Sequence, residues 1–261
     1  MSTRVSFDRV ADVYDRTRAM PPDATAAVTA GIAAVLRDAA PNPRLLEVGL
    51  GTGRIAVPLA EASIRVIGID VATAMLAQAR RKRADLAVVV ADATAPPFRT
   101  ASFDGALFVH VLHLMPGAVV LPATRRLVRP GGVLLHGHTD YGQHRRALFT
   151  LLRDVMGEVG GTLPAADRWP EVDAVFAEAV TAAGATCEER VLARWTERTT
   201  GRQVLDAVAG RVYSNTWAIP DDALPVLLER VTPQLDALLG GLDTAVETAA
   251  SFSLTIARLP A

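Results

Sequence analysis

The sequence predicts an α/β protein in which helices cover both faces of a mainly parallel sheet. In the first half of the chain, short apolar runs of strand character alternate with stretches of helical periodicity. The clearest unit is 45–56, where a run ending at Val48 leads through a glycine-rich turn into a helix. The chain has 261 residues, of which 50% are hydrophobic, so it can bury the core of one large domain.

Composition narrows the possible partners and the compartment. The formal net charge of −1 gives no reason to expect a nucleic acid partner. Cys187 is the single cysteine, which excludes a disulfide within the chain and favours a cytoplasmic protein. No apolar signal core follows Met1, and no apolar run approaches the roughly 18–20 residues that span a bilayer, so we expect no membrane partner.

The turn after the first strand has the features of a ligand site. Gly49, Gly51 and Gly53 leave bare backbone along one side of the turn. The helix that follows directs unpaired N–H groups towards the same space. Glu47 lies at the carboxyl end of the strand, where ligands bind in open α/β sheets.

Two classes of nucleotide-containing cofactor use such a turn. Gly51-x-Gly53-x-x-Ala56, followed by Asp70 at the end of the next strand, fits a loose dinucleotide motif. The carboxylate of Glu47 would repel a pyrophosphate and would suit a cationic ligand. The turn therefore favours a positively charged cofactor, with a nicotinamide dinucleotide as the alternative.

The motif Glu47-Val48-Gly49-x-Gly51-x-Gly53 resembles the first motif of class I S-adenosylmethionine-dependent methyltransferases, in particular the methyltransferase-11-like enzymes that act on small molecules. The resemblance implies a Rossmann-like, doubly wound, seven-stranded sheet of order 3-2-1-4-5-7-6, with the last strand antiparallel and a helical cap. It also implies S-adenosylmethionine as cofactor, S-adenosylhomocysteine as product, and in-line methyl transfer to a small-molecule acceptor.

The N-terminal segment 6–19 has apolar residues at helical spacing, which by itself predicts an amphipathic helix covering a sheet edge. Its pattern resembles the F-D-x-x-A-x-x-Y-D-x-x-R start of many of these methyltransferases, with either Arg16 or Arg18 as the last arginine. The resemblance implies a lid over the cofactor, with Tyr14 and Arg18 near the methionine end. A planar guanidinium is well suited to hold a carboxylate.

The second and third strands each end in an acid. The run 64–70 ends at Asp70, which the resemblance assigns to the ribose hydroxyls, with Val71 and Met75 bordering the adenine. Met75 could equally be an ordinary core residue. The run 86–91 is followed by Asp92 and Ala93, which the resemblance places at the adenine amino group.

Strand four is predicted at 105–110, and its carboxyl end, at Val109, should flank the methyl group. A helix over 116–128 and a turn at 129–132 then lead to strand five at 133–139. The ends of strands four and five are neighbours in this topology.

All five histidines lie between His110 and His144, around these strand ends. Some are expected to be core residues. His136 and His138 share a strand face and could bind a metal, but only Asp140 is a possible carboxylate partner, and methyl transfer needs no metal; we expect none. A general base is the third possibility, and the candidates are His110, His113 and His138.

We predict that residues 1–140 form the lid and cofactor-binding half, and that 141–261 complete the same domain with cap insertions at about 141–165 and 199–240. Helices are predicted at 145–159, 171–183, 199–213 and 222–239, strand six at 186–196, and a last strand at 252–257. The larger aromatic residues of this half, expected around the cap, are Trp169, Trp195, Tyr213 and Trp217.

Two alternatives to a methyltransferase stay open. One is an NAD(P)-dependent oxidoreductase that uses the second and third glycines and Asp70. The other is a protein on the same fold that binds S-adenosylmethionine without transferring its methyl group.

Overall fold

The computed structural model describes residues 7–12, 14–158, 169–212, 216–217 and 219–261. Seven strands form one sheet of order β3-β2-β1-β4-β5-β7-β6, as predicted. The strands are Arg44–Val48 (β1), Arg65–Asp70 (β2), Ala87–Val90 (β3), Phe103–Val109 (β4), Val128–Asp140 (β5), Thr186–Thr199 (β6) and Val246–Arg258 (β7). The helices are Tyr14–Arg18 (α1), Pro22–Ala39 (α2), Ala56–Glu61 (α3), Thr73–Lys82 (α4), Gly117–Arg125 (α5), Gly142–Glu158 (α6), Trp169–Thr181 (α7), Gly201–Ala209 (α8) and Ala223–Leu239 (α9).

The first five strands pair in parallel, with β1 between β2 and β4. Residue Glu47 stands opposite Gly68 on one side and Leu107 on the other, so the ends of these strands lie at one edge of the sheet. The last strand is antiparallel, and bonds from Leu259 N to Gly132 O (2.9 Å) and from Gly131 N to Pro260 O (2.9 Å) continue its pairing past its end. This topology confirms the predicted fold class.

Several elements differ from their predicted bounds. The N-terminal helix is split into a 3-10 turn at Asp8–Val10 and α1. The turn predicted at 129–132 is a bulge inside β5, because Phe103 pairs with Val128 and Gly105 with Val133. The last strand begins at Val246, well before the predicted 252. Tyr213 and the segment 160–164, which belongs to the first predicted cap insertion, lie outside the described residues, as do the side chains of His144 and Trp169.

The chain divides into two compact units, of which the first comprises Met1–Thr139, Trp169–Ala193 and Phe252–Ala261. Its core packs Leu46, Phe108 and Leu134 from the central strands against Leu121 of α5 and Phe176 of α7. All three strand residues are almost inaccessible to solvent, as expected for a parallel sheet covered on both faces.

The second unit comprises Asp140–Arg168 and Arg194–Ser251 and has a core of its own. There, Leu152 and Met156 of α6 join Val208 of α8 and Leu227 and Val231 of α9 in one buried cluster. A capping box of Thr200 and Gln203 fixes the start of α8. None of the helices in the described part of the chain combines the length and apolarity that crossing a bilayer would need.

Candidate functional site

The turn after β1 is built on glycines in the left-handed region. Gly49, Gly51 and Gly53 have φ angles of 72°, 59° and 74°. A Cβ on Gly49 would lie 2.4 Å from Cγ2 of Val111, so this position has no room for a side chain. The amide of Gly49 donates to the carbonyl of Ile69 over 2.8 Å, which holds the turn against β2. The glycines therefore leave the backbone of this turn accessible to a ligand.

Asp70 joins the turn to the next helix. Its Oδ2 accepts from the amide of Gly51 over 2.8 Å, and its Oδ1 accepts from the amide of Ala72 over 2.9 Å. Burial raises the pKa of this carboxyl, and the two amide hydrogen bonds oppose that rise. A third backbone amide, that of Val71, also donates to this carboxylate. Since a carboxylate has about four acceptor sites, capacity remains for a ligand hydroxyl.

Asp92 is held in a comparable way after β3. Its Oδ1 accepts from the amide of Thr94 over 2.9 Å and from the Thr94 hydroxyl over 2.8 Å. These bonds fix the carboxylate at the end of its strand, on the same side of the sheet as Asp70.

Asp70 and Asp92 line one cavity of about 210 Å³. Ten of the residues predicted from the sequence line it: Tyr14, Gly49, Gly51, Asp70, Val71, Met75, Asp92, Ala93, Val109 and His110. Five other predicted residues are not among the described residues that line the cavity: Arg18, Glu47, Gly53, His113 and His138. The structure therefore brings together most of the residues predicted to bind the cofactor. Of the three predicted histidines, only His110 is among the described residues that line the cavity.

The N-terminal segment is tied to the site at several points. Asp8 accepts from the amide of Ala74 over 2.8 Å and so satisfies a first-turn N–H of α4. Asp15 accepts from the Thr52 hydroxyl over 2.6 Å and forms an ion pair with Lys82. These contacts hold the segment over the glycine turn.

Within that segment, Tyr14 packs edge-on against Phe7, with ring centroids 5.9 Å apart, and both residues line the cavity. The guanidinium of Arg18 stands 5.7 Å from the centre of the Tyr14 ring. The backbone carbonyl of Arg18 accepts a hydrogen bond from Arg54. Tyr14 is thus placed at the cavity directly, and Arg18 behind it.

Glu47 is the most unusual ionisable group of the site. It is 2% exposed, and its Oε2 has no hydrogen-bond partner among the described residues. Burial raises the pKa of its carboxyl to about 8; Arg54 lowers it and Asp70 adds to the rise. A buried carboxyl of this kind is costly to ionise unless a cation is close.

His110 follows β4 with a φ of 54°, in the left-handed region that non-glycine residues seldom adopt. Its Nε2 lies 3.0 Å from the Thr139 hydroxyl, which orients the ring. Burial and the positive charges of Arg54 and Arg18 hold the pKa of His110 well below its usual range. A neutral imidazole at the cavity wall can accept a proton at neutral pH.

His136 and His138 belong to a different cluster, with Asp173 of α7. Nδ1 of His136 lies 2.9 Å, and Nδ1 of His138 3.7 Å, from Oδ1 of Asp173. The sequence suggested Asp140 as the only possible carboxylate for these histidines. In the structure, a residue distant in sequence takes that place because α7 packs near the end of β5.

Several site residues were missed from the sequence. Thr94 fixes Asp92, Arg54 sets the charge around Glu47 and His110, and Thr139 orients His110. Leu114, Met115 and Pro116 form an apolar part of the cavity wall. A continuing apolar run after the predicted strand four was the only signal for this wall.

Residues 46–136 match a family model described as a methyltransferase domain. The chain is 38% identical over 98 residues to a demethylmenaquinone methyltransferase of Beutenbergia cavernae, covering 37% of this chain and 41% of that protein. It is 31% identical over 155 residues to the demethylmenaquinone methyltransferase of Renibacterium salmoninarum, covering 53% and 60%. The chain therefore spans 41% and 60% of the lengths of these two relatives.

Solved structures show the same fold at low sequence identity. A putative methyltransferase from Bacillus halodurans superimposes with a TM-score of 0.57 and 18% identity, over 90% of this chain and 98% of that one. A geranyl diphosphate methyltransferase in complex with S-adenosylmethionine gives a TM-score of 0.50 and 12% identity, over 89% and 84%.

Proposed function

We propose that this chain, which carries a class I methyltransferase domain, transfers a methyl group from S-adenosylmethionine to a small-molecule acceptor. S-adenosylmethionine is the cofactor of that family, and when bound it supplies a methyl group activated by a sulfonium. One observation carries the proposal: a single cavity has a glycine turn on one side and the carboxylates of Asp70 and Asp92 on its walls.

The cavity offers a place for each part of an adenosyl group. Asp70 would accept from a ribose hydroxyl with the acceptor capacity that its amide bonds leave over. Asp92 and the backbone at Ala93 would meet the adenine amino group, and Val71 and Met75 would cover the ring, since all four residues line the cavity. Met75 is only 2% exposed, as expected for a residue that closes an apolar slot.

Glu47 favours a cation near the glycine turn. Its carboxyl, kept neutral by burial, can ionise opposite the positive charge of the cofactor, and a diphosphate would offer no such gain. Since Glu47 is buried and does not line the cavity, it acts through its field, and its carboxyl ionises when a cation binds. Arg18, behind Tyr14, is placed to balance a ligand carboxylate.

The protein contributes mainly alignment to such a reaction, and alignment can supply about 7–11 kcal/mol of the barrier. His110 is the base for an acceptor that must lose a proton, because it is neutral, oriented by Thr139 and part of the cavity wall. His113 and His138 do not line the cavity formed by the described residues and are weaker candidates.

The acceptor is expected to have an apolar body. Leu114, Met115 and Val120 give one side of the cavity an apolar wall beside His110. Two relatives are demethylmenaquinone methyltransferases, so a quinone of that type is the first acceptor to test.

Calorimetry on the purified chain tests the cofactor, and detection of S-adenosylhomocysteine with a panel of small acceptors tests transfer. We expect saturable binding of S-adenosylmethionine and none of NAD(P). Binding of NAD(P) instead would support an oxidoreductase. Binding of S-adenosylmethionine without product for any acceptor would support a protein that uses the cofactor without transferring its methyl group.

A further inference from the structure

His136, His138 and Asp173 form a cluster, and none of the three is among the described residues that line the cavity. His136 and His138 are separated by one residue on β5, so both imidazoles project from the same face of the strand. Asp173 reaches them from the first turns of α7. The ring of Phe176, one turn further along α7, lies 5.5 Å from the His136 ring and limits its movement.

The three side chains each offer one ligand atom, and the three atoms lie close together. These atoms all lie within 4.8 Å of one another. Oδ1 of Asp173 is 2.9 Å from Nδ1 of His136 and 3.7 Å from Nδ1 of His138. Zinc bonds of about 2.0–2.2 Å in a tetrahedral site place ligand atoms roughly 3.4 Å apart, between these two values.

A hydrogen-bonded pair explains only part of this arrangement. The 2.9 Å contact is a normal hydrogen bond between His136 and Asp173. The 3.7 Å separation from His138 is too long for one, yet its Nδ1 approaches the same oxygen. The two imidazole nitrogens thus lie at distances from one carboxylate oxygen that are close to the spacing of ligands around a shared metal ion.

Burial and charge suit a metal as well. The side chains of His136 and His138 are 0% and 9% exposed, whereas that of Asp173 is 33% exposed. The cluster is thus closed on the histidine side and open to water beside the carboxylate. Two imidazoles and one carboxylate are a typical ligand set for zinc, with water as the fourth ligand.

We propose that His136, His138 and Asp173 bind one divalent transition-metal ion, with zinc as the favoured metal. This site would join α7 to β5 within the first unit. It replaces the expectation from the sequence that the chain binds no metal, because Asp173 supplies the carboxylate that the sequence pattern lacked.

The test uses the full chain without an affinity tag, treated with chelator and titrated with Co²⁺, whose visible absorption reports coordination. Zn²⁺ is then added to compete for the site. We expect one equivalent of Co²⁺ to bind with tetrahedral absorption and to be displaced by Zn²⁺. Absence of saturable binding would overturn the proposal.

Variants identify the ligands. Asp173→Asn keeps a hydrogen-bond acceptor for His136 but loses the anionic ligand, so it should fold and bind Co²⁺ at least tenfold more weakly. His138→Gln should do the same, and Asp173→Glu should restore part of the affinity. Undiminished binding in both Asp173→Asn and His138→Gln would refute the assignment.

Cys187 provides the matched control. It is the only thiol of the chain and is exposed, so it is the main competing site for a soft metal. Cys187→Ser should leave Co²⁺ affinity and absorption unchanged, and loss of binding in this variant would overturn the proposal. Circular dichroism of each variant checks its fold, and no readout depends on methyl transfer.

Discussion

The amide of Gly51 donates a 2.8 Å hydrogen bond to Oδ2 of Asp70, so the glycine turn and the acid at the end of the second strand form one unit. The other oxygen of Asp70 accepts a hydrogen bond from the amide of Ala72, the residue that precedes α4. A single carboxylate therefore sets the position of two backbone segments that line the cavity. Replacing Asp70 should therefore lower ligand affinity more than it lowers the stability of the fold.

Asp70→Asn should weaken S-adenosylmethionine binding by roughly 10- to 100-fold, because a hydrogen bond to a charged group contributes about 1.5–3 kcal/mol. The dissociation constant from calorimetry is the measurement. Asp85→Asn is the control, since Asp85 has a 73% exposed side chain paired with Arg83 and lies outside the cavity lining of the described residues. Equal affinities for Asp70→Asn and the unchanged chain would contradict the ribose role.

Gly49→Ala should destabilise the protein by about 2 kcal/mol or more, since it combines left-handed strain with a Cβ placed 2.4 Å from Val111. Gly51→Ala is the matched comparison. Its Cβ would approach only the Met75 methyl, at 3.4 Å, so its stability loss should be smaller while cofactor affinity falls. Urea unfolding and calorimetry separate the two effects. A Gly51→Ala variant less stable than Gly49→Ala would refute the interpretation that Gly49 is the more tightly packed position.

Glu47 should make the unfolding free energy depend on pH. Burial raises the pKa of its carboxyl in the folded protein to about 8, against 4.5 for the ordinary group. Between these two pH values the folded state holds a proton that the unfolded state has lost. The contribution of Glu47 to the free energy of unfolding is therefore complete below pH 4.5 and is lost as the pH rises to about 8. The total change is on the order of a few kcal/mol.

Glu47→Gln should remove this dependence. The difference in unfolding free energy between the unchanged chain and the variant should decline from about pH 5 to pH 8 and then level off, as measured by urea unfolding. Glu61→Gln, at an exposed position on α3, is the control and should show a constant difference. A constant difference for Glu47→Gln as well would mean that the carboxyl is not buried as described.

The first 140 residues could be interpreted from sequence because each strand ends in a short local motif. Glycines that adopt positive φ and acids that follow β-rich runs are visible in the residue order itself, so Gly49, Asp70 and Asp92 were predicted. The strand order then followed from the family resemblance. Local backbone requirements fix these positions.

Contacts between distant segments left no such pattern. Asp173 meets His136 across 37 positions of sequence, and Thr139 meets His110 across 29. The first pairing depends on how α7 packs near β5, and the second depends on the register between β4 and β5. Hydrophobic periodicity specifies neither. The sequence favoured His110 or His113 over His138 as the base but could not choose between the first two, and of the three only His110 is among the described residues that line the cavity.

His110→Asn should separate stability from catalysis. Asparagine tolerates the left-handed backbone, so the melting temperature and the affinity for S-adenosylmethionine should change little. With an acceptor that must lose a proton, the rate of S-adenosylhomocysteine formation in a single turnover should fall by roughly 10²- to 10⁴-fold, the usual contribution of a general base. An unchanged rate with such an acceptor would exclude His110 as the base.

The pH profile gives an independent measure of the same residue. Because the pKa of His110 is held well below 6.5, its imidazole stays neutral while an ordinary histidine becomes protonated. The single-turnover rate of the unchanged chain should therefore stay level as pH falls through 6.5, and decline only at lower pH. A decline with its midpoint near 6.5 would mean that the base is a histidine in an ordinary environment, and it would exclude His110 from that role.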